Sequence, residues 1–351
     1  MKQRRLLFSL LAALLFALPL VFRAFAAPAP QSNSPLDLAA AALQAGEADK
    51  ALALLASPPP DGSSLALSHN LLCRVRFSLG HWDAAATECA AAVHLDPQSS
   101  DYHMWLGRAL GEKAGHASFL TAFSLAKQAR AEFETAVQLN PHNAPALADL
   151  GDFYTQAPSV VGGGIDKARQ IAASLQKVDG ARAHELLGHI AEDQKDFSAA
   201  EREYRQAIAA DTHPALRWTT LAGFFARRKQ FDDMESAVHS AQSFASRDKY
   251  AAVAFYDGAG VLIEAKADPA LAANLLQTYL DSSFKSEEAP AFKALVRLAR
   301  LKAALGDPAA AQQERAAALS LARDYRPAQD FKLQDADRRR TPNPESQQAN
   351  L

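Results

Sequence analysis

The stretch from His184 to Ile208 reads HELLGHIAEDQKDFSAAEREYRQAI, and the rest of the chain can be interpreted from it. Its first six letters look like the H-E-x-x-H helix of zinc hydrolases, in which two histidines four positions apart reach one metal ion. Here the second histidine, His189, comes five positions after the first, which is about 140° around a helix. Gly188 stands where the second ligand is required. We therefore predict no metal site in this stretch.

The same letters read better as two short helices that pack through small side chains. Leu187 and Gly188 form a Leu-small pair in the middle of the first helix, and Ala200 lies early in the second. Small residues at these two places let the helix backbones approach, whereas large ones would wedge them apart. The same order of residues recurs in three further fragments, Leu79–Pro97, Lys229–Ala241 and Leu305–Leu321.

Eight such units can be aligned along the chain. The small residue of the first helix falls at Ala39, Cys73, Gly107, Gly151, Gly188, Ala222, Gly260 and Ala299, with spacings of 34, 34, 44, 37, 34, 38 and 39. The matching residue of the second helix falls at Ala51, Ala85, Ala129, Ala168, Ala200, Met234, Ala272 and Ala311. This arrangement resembles the tetratricopeptide repeat (TPR), a unit of about 34 residues made of two antiparallel helices.

The resemblance implies an all-α fold, a TPR-type right-handed α-solenoid of about seven to eight helical hairpins over residues 35–326. Neighbouring hairpins are expected to nest side by side into a curved stack with a concave groove. The implied function is a non-enzymatic protein–protein interaction scaffold, and no cofactor is expected. The sequence contains no G-x-S-x-G nucleophile elbow and no C-x-x-C pair. It also contains no pair of carboxylates that belongs to a recognisable catalytic fold, so nothing in it indicates catalysis.

The groove residues follow from the resemblance, because TPR proteins expose the positions three before, and one and four after, the small residue of the first helix. The partner-binding residues expected on the concave face are Asn70, Arg74, Phe77, Met104, Arg108, Asp152, Glu185, His189 and Glu192. Such a groove is basic at its N-terminal part and acidic in the middle, which suits a protein or peptide partner of complementary charge order. The set lacks the Lys/Asn arrangement of TPR domains that clamp a C-terminal carboxylate.

Two departures from the 34-residue period insert segments at 112–124 and 157–164. Together they resemble exported bacterial TPR proteins, in which a long third unit precedes an AP…GG loop. Tolerated loop growth and a functional role both remain open. The glycines at 162–164 precede a helix, but no GK[ST] or preceding strand accompanies them, so a turn is favoured over a phosphate-binding loop.

The N-terminus indicates export. A positive start, MKQRR, an apolar core and the Ala24-Phe25-Ala26 pattern predict a signal peptide over 1–26, cleaved near Ala26, followed by a linker at 27–34. For a Gram-negative source this means the periplasm, and an uncleaved N-terminal anchor is the alternative. Beyond this segment no membrane insertion is expected. The polar tail at 327–351 is expected to end in disorder.

Two cysteines fall in one repeat, Cys73 on its first helix and Cys89 on its second. In an oxidising compartment they could form a disulfide, and the alternative is two buried small side chains.

The composition argues against a nucleic-acid partner. The formal net charge is −2 and the basic residues are dispersed, whereas a nucleic-acid surface needs a basic stripe. A protein partner is therefore favoured. The rival function is a small-molecule-binding accessory component of a periplasmic transport system, with its ligand near the two inserted segments.

Overall fold

Helices make up nearly the whole of the computed structural model, which describes residues 34–57, 59 and 61–333. These residues belong to the second of two units into which the chain divides, Ser34–Leu351. No strand occurs in this part of the chain. The predicted signal peptide, the linker up to residue 33 and the tail beyond 333 lie outside the described residues.

Within the described ranges there are seventeen α-helices: α1 Pro35–Ala45, α2 Ala48–Leu54, α3 Gly62–Ser78, α4 Trp82–Leu95, α5 Ser100–Gly115, α6 Phe119–Leu139, α7 Ala144–Gln156, α8 Ile165–Leu175, α9 Gly180–Asp193, α10 Phe197–Ala210, α11 Ala215–Arg227, α12 Phe231–Ala245, α13 Val253–Ala265, α14 Pro269–Asp281, α15 Ala291–Ala304, α16 Pro308–Leu321 and α17 Arg326–Gln329.

The first sixteen helices pair in chain order as eight hairpins, which we number 1 (α1 and α2) to 8 (α15 and α16). We call the first helix of each hairpin helix A and the second helix B. The all-α solenoid of helical hairpins predicted from the sequence is confirmed. The short helix α17 follows hairpin 8, and its Ala328 is fully buried, so the packed unit continues past the predicted boundary at 326.

Side-chain caps explain where many of the helices begin. The side chains of Ser34, Asp61, Ser99, Asn143, Asp179, Asp196, Asp268 and Asp307 each accept a hydrogen bond from the backbone N–H three residues on. Each cap satisfies one of the donors that a helix leaves unpaired at its start. These residues therefore fix the starts of helices of both kinds.

In six of the eight hairpins, the turn from helix A to helix B contains a residue in the left-handed conformation directly after helix A or one residue beyond it. Glycine fills this position in hairpins 1, 2 and 8, and lysine fills it in hairpins 5, 6 and 7, at Gly46, Gly80, Gly306, Lys195, Lys229 and Lys266. Lysine is strained there because its Cβ approaches the following carbonyl oxygen, a strain glycine escapes. A tight A–B turn is thus kept even where the sequence shows no glycine.

Small residues hold the two helices of each hairpin together as predicted. All eight predicted helix B residues, from Ala51 to Ala311, are at most 1% exposed. On helix A, a Cβ added to Gly188 would lie 2.5 Å from Cε1 of Tyr204 on helix B. The aligned residue in hairpin 7 is wrong by one position, because Ala259 is fully buried while Gly260 is partly exposed and faces only the Arg297 guanidinium.

Cys73 and Cys89 are joined by a disulfide that ties α3 to α4. Their Cα atoms are 5.1 Å apart and both residues are fully buried. Closing a loop of this length is worth about 3 kcal/mol in the chain-entropy account. The bond therefore stabilises hairpin 2.

The inserted segments take different forms. The extra residues at 112–124 lengthen α5 and α6 instead of forming a loop, and they leave Phe119 and Leu120 more than four-fifths exposed at the start of α6. The segment at 157–164 forms a 3₁₀ turn, Ser159–Val161. The Arg130 guanidinium of α6 donates to the carbonyl oxygen of Val161 at 3.1 Å. This turn is therefore held against the preceding hairpin.

The array closes on itself, because hairpin 1 contacts hairpin 8. Phe292 of α15 packs in one buried cluster with Ala39 and Leu43 of α1. Gly46 lies directly against the backbone of Ala291, where φ of +77° and the lack of space both favour glycine. We call this junction of the two ends the seam.

Polar contacts accompany the seam. Asp49 of α2 accepts hydrogen bonds from the backbone N–H and the Nε of Arg323, at 3.1 and 3.0 Å. The connection between α14 and α15 also reaches across, and its Glu287 pairs with Arg74 of α3. The predicted curved stack is thus a closed ring of hairpins in this unit.

Among the described residues, no helix combines the length and the apolar character that crossing a membrane would need.

Candidate functional site

Side chains of the helices A contact those of neighbouring helices A, and one contacts the α14–α15 connection across the ring, so they share one face of it. Burial raises the pKa of Asp257 on α13 to about 7, and the negative charges of Glu288 and Glu185 add to this effect. Burial opposes the charge of Arg108 on α5, but its partner Asp149, with smaller contributions from Glu288 and Glu287, outweighs burial and raises the pKa of Arg108. We call the surface on which these side chains and the predicted groove residues lie the inner face.

Ion pairs between successive helices A cross the inner face. Arg108 of α5 donates to both carboxylate oxygens of Asp149 on α7, at 2.5 and 3.3 Å. Asp152, one turn further along α7, lies 2.9 Å from Nδ1 of His189 on α9. Burial by itself would lower the pKa of His189, but Asp152 outweighs it and raises the pKa.

The two acidic groove residues of α9 are paired with the next hairpin. Glu185 contacts the Arg217 guanidinium and accepts a hydrogen bond of 2.6 Å from the Thr220 hydroxyl. Glu192 accepts two hydrogen bonds from Arg227, at 2.7 and 2.9 Å. These cations sit one repeat after the acids they neutralise, so the acidic middle predicted for the groove does not exist as a bare acidic patch.

The first part of the inner face combines basic and aromatic groups. The guanidinium carbons of Arg74 and Arg108 lie 5.4 and 4.8 Å from the ring centre of Trp105. Arg74 donates through Nε and Nη2 to both carboxylate oxygens of Glu287, at 2.9 and 2.8 Å. Such two-pronged contacts are the strongest that a guanidinium makes with a carboxylate. We call Asn70, Arg74, Trp105 and Arg108 the Arg–Trp site.

Asn70 is the least exposed member of this site, at 2%. Its Oδ1 lies 3.5 Å from Nη1 of Arg74, but its Nδ2 has no hydrogen-bond partner among the described residues. An unpaired buried amide donor costs free energy unless a ligand or water accepts from it. Asn70 is therefore the residue of the site that most needs an acceptor.

The two apolar groove residues are largely inside the packing. Phe77 lies edge-on to two indole rings, with centroids 5.2 Å from Trp82 and 5.6 Å from Trp105. Met104 is buried beside Trp105 in the same hydrophobic cluster. Both residues belong to the packing around Trp105 of the Arg–Trp site, and neither exposes much surface to a partner.

A cavity of about 360 Å³ opens on the inner face between hairpins 4, 5 and 6. It is lined by Thr155, Gln156, His189, Glu192, Asp193 and Arg227. Two predicted groove residues, His189 and Glu192, therefore share one concave site. Its walls carry both signs of charge.

The two histidines of the opening stretch make separate contacts. His184 lies 2.8 Å from Glu203 on its own hairpin, whereas His189 reaches back to Asp152 on the preceding one. No group of three or more potential metal ligands occurs within the described ranges.

Several inner-face residues were missed from the sequence. Arg217 and Arg227 carried a usable signal, because each follows its acidic partner by about one repeat length, at 32 and 35 residues. Glu287 carried none, since its partner Arg74 is 213 residues away and only ring closure brings them together.

The comparison with family models supports the repeat in one unit of the chain. Residues 181–213 match the family model described as the tetratricopeptide repeat. No curated protein matches the chain.

Three solved structures are similar to parts of this chain. A thermophilic TPR protein of Thermus thermophilus is 20% identical, with a TM-score of 0.46 over 54% of this chain and 97% of its own. PilF of Pseudomonas aeruginosa is 14% identical, with a TM-score of 0.37 over 77% of this chain and 98% of its own. MamA is 14% identical, with a TM-score of 0.32 over 49% of this chain and 93% of its own.

Proposed function

We propose that this chain of helical hairpins, in which residues 181–213 match the tetratricopeptide-repeat model, is a non-enzymatic scaffold that binds a partner protein or peptide on its inner face. The observation that carries the proposal is the convergence of half-buried charged side chains from separate hairpins on one interior, among them Arg74, Arg108 and Glu185. Such groups are close enough to solvent to exchange their internal partners for those of a peptide.

The pairing on the inner face also supports a binding role over a chemical one. Glu185, Glu192 and Asp149 each face a cation of a neighbouring hairpin, which stabilises stacking and presents ordered charges. General acid–base chemistry would instead require a titratable group poised beside a reacting atom. TPR repeats serve generally as interaction scaffolds.

Affinity capture from cell-envelope extract tests the proposal. The inner-face variant combines Glu192→Gln with Arg227→Gln, so that both members of one ion pair lose their charge and neither is left buried alone. The matched control combines Glu201→Gln with Arg205→Gln, which removes an exposed pair on helix B of the same hairpin. A partner retained by the control and lost by the inner-face variant supports the scaffold. Equal retention by both would contradict binding at this part of the inner face.

We also propose that the protein is exported to the periplasm of a Gram-negative cell, with residues 1–26 acting as a signal peptide. The Cys73–Cys89 disulfide supports this proposal, since such bonds persist in oxidising compartments. Fractionation of expressing cells, with mass analysis of the purified chain, is the test. A chain beginning near Ala27 in the periplasmic fraction is expected, and a full-length chain in the membrane fraction would indicate the uncleaved anchor.

A second candidate function is favoured by one observation. The cavity on the inner face includes Thr155 and Gln156, which directly precede the inserted segment at 157–164. This location suits a small-molecule-binding accessory component of a transport system. A thermal-shift screen of small solutes would support it, provided that Arg227→Gln abolishes the shift.

A further inference from the structure

The Arg–Trp site has the chemistry of a carboxylate receptor. Arg74 and Arg108 place two guanidinium groups over one indole ring, at 5.4 and 4.8 Å. Arg108 is committed to Asp149, but Arg74 is held by no carboxylate of its own hairpin. Asn70 is buried beside Arg74, with its Oδ1 3.5 Å from Nη1.

A segment from the far end of the ring already occupies this receptor. The connection between α14 and α15, residues 282–290, carries Glu287 onto Arg74 across 213 positions of sequence. Glu288, the next residue, is exposed, and its carboxylate has no partner among the described side chains, although its charge reaches Arg108. The receptor is thus occupied by one of two adjacent glutamates.

The segment is held in shape by Tyr279, which is fully buried on α14. The Tyr279 hydroxyl donates to the carbonyl oxygen of Ala289 at 2.5 Å and accepts from the N–H of Ser286 at 3.2 Å. The two backbone groups that Tyr279 holds, the N–H of Ser286 and the carbonyl of Ala289, lie on either side of Glu287 in the sequence, and neither contact involves the Glu287 carboxylate. The Glu287 side chain can therefore leave Arg74 while the segment stays folded.

We propose that the Arg–Trp site binds an acidic peptide segment of a partner protein, and that Glu287 is a resident competitor which the partner's carboxylate displaces. This inference rests on the proposed function and names the partner chemistry of the inner face. The partner segment carries adjacent acidic side chains in an extended stretch, the pattern that residues 282–290 present in place. One incoming carboxylate takes the two donors of Arg74 that Glu287 now occupies.

Competition within one molecule sets the affinity. A tethered carboxylate acts at high effective concentration, so it weakens the binding of an acidic partner without changing the receptor. Removing the charge of Glu287 is therefore expected to strengthen acidic-peptide binding, whereas removing Arg74 abolishes it. The two substitutions alter the same ion pair and act in opposite directions, which a merely structural role would not produce.

The probe is a fluorescent synthetic peptide with the sequence of residues 281–290, DSSFKSEEAP. Its control is DSSFKSQQAP, in which both glutamates are neutral. Binding is measured by fluorescence anisotropy on the full chain and its variants, with far-UV circular dichroism to verify folding. The Glu287→Gln chain is expected to bind the acidic peptide about tenfold more tightly than the unaltered chain, the size expected for removal of a competing charged hydrogen-bonded pair.

Two control variants separate displacement from simpler effects. Glu201→Gln removes one exposed negative charge on α10, and Asp49→Asn removes a seam contact on Arg323, both away from the receptor. Both are expected to change the affinity less than twofold. Adding Arg74→Gln to Glu287→Gln is expected to abolish binding of the acidic peptide, and the neutral peptide is expected not to bind any variant.

Several results would overturn the inference. Equal affinity of the unaltered and Glu287→Gln chains would show that Glu287 does not compete, and binding that survives Arg74→Gln would place the peptide elsewhere. Dimers of the unaltered chain, seen by light scattering and absent from the Glu287→Gln chain, would mean that the segment of a second copy fills the site. If a captured partner is lost by the Glu192/Arg227 variant but retained by Arg74→Gln, this inference fails while the proposed function stands.

Discussion

Replacing Gly188 by alanine should destabilise the protein, although alanine is the better helix former. Gly188 lies in the middle of α9, where a Cβ would sit 2.5 and 2.7 Å from Cε1 and Cδ1 of Tyr204. That ring is 1% exposed, and its hydroxyl is hydrogen-bonded to Glu192 at 3.0 Å. The ring has no open space to enter, so it can yield only by moving helix α10.

Two opposing effects decide the magnitude. Alanine gains about 1 kcal/mol over glycine in a helix interior. Overpacking a well-filled interior costs about 1–3 kcal/mol, and straining the Tyr204–Glu192 hydrogen bond adds up to about 1 kcal/mol. We expect Gly188→Ala to lower the free energy of unfolding by about 1–2 kcal/mol.

Gly111 offers a matched control in another helix A. A Cβ there would meet nothing within 4 Å, and the position is exposed in the interior of α5. Gly111→Ala should therefore raise the free energy of unfolding by up to about 1 kcal/mol, which separates the two variants by about 1–3 kcal/mol.

Urea unfolding followed by circular dichroism measures both variants against the unaltered chain. A Gly188→Ala chain that is as stable as the Gly111→Ala chain would refute the close-packing argument, because it would show that helix α9 has room for a side chain at this depth. Loss of stability in both would instead point to a general intolerance of α9 and α5 to substitution.

Three further predictions concern the turns, the disulfide and pH. Lys195→Gly should raise the free energy of unfolding by about 0.5–1 kcal/mol, because φ of +62° strains a lysine; an unchanged urea midpoint would contradict this. Reducing the Cys73–Cys89 bond should lower the thermal midpoint, by an amount equivalent to about 3 kcal/mol; no shift on adding reductant would show that the bond contributes nothing. Since Asp152 raises the pKa of His189 above its usual 6.5, this pair should stabilise the fold fully below pH 6.5 and lose its effect as pH rises through the folded-state pKa; His189→Gln should flatten that part of the stability–pH curve.

The repeat architecture could be predicted because each hairpin is defined by contacts between residues that are close in the sequence. The helix B alanines recur at similar depths, and each is buried against its own helix A, within a few tens of residues. A small side chain at such a contact is demanded wherever two backbones approach closely, so its spacing reveals the hairpins. The one misplaced residue, Gly260 instead of Ala259, arose where two small residues are adjacent and composition cannot decide between them.

The inner face was predictable only in part. The positions of Arg74, Arg108 and Glu192 follow from the repeat. The sequence analysis considered the charges of each hairpin separately, however, and so did not predict ion pairs between hairpins. Arg227 neutralises Glu192 from the next helix A, and that pairing depends on the angle between neighbouring hairpins. Small changes in this angle move a long side chain by several ångströms, which no spacing in the sequence encodes.

The sequence alone is enough to predict about seven to eight helical hairpins and most of their small-residue contacts, because each hairpin is a local unit that packs on its neighbours. The meeting of the two ends came only from the assembled structure. Closure is the sum of seven successive hairpin-to-hairpin rotations, and it brings Gly46 to Ala291 and Arg74 to Glu287. Since every rotation depends on packing along the whole array, the pairing of Glu287 with Arg74, at the site for which we propose acidic recognition, exists only when the ring is complete.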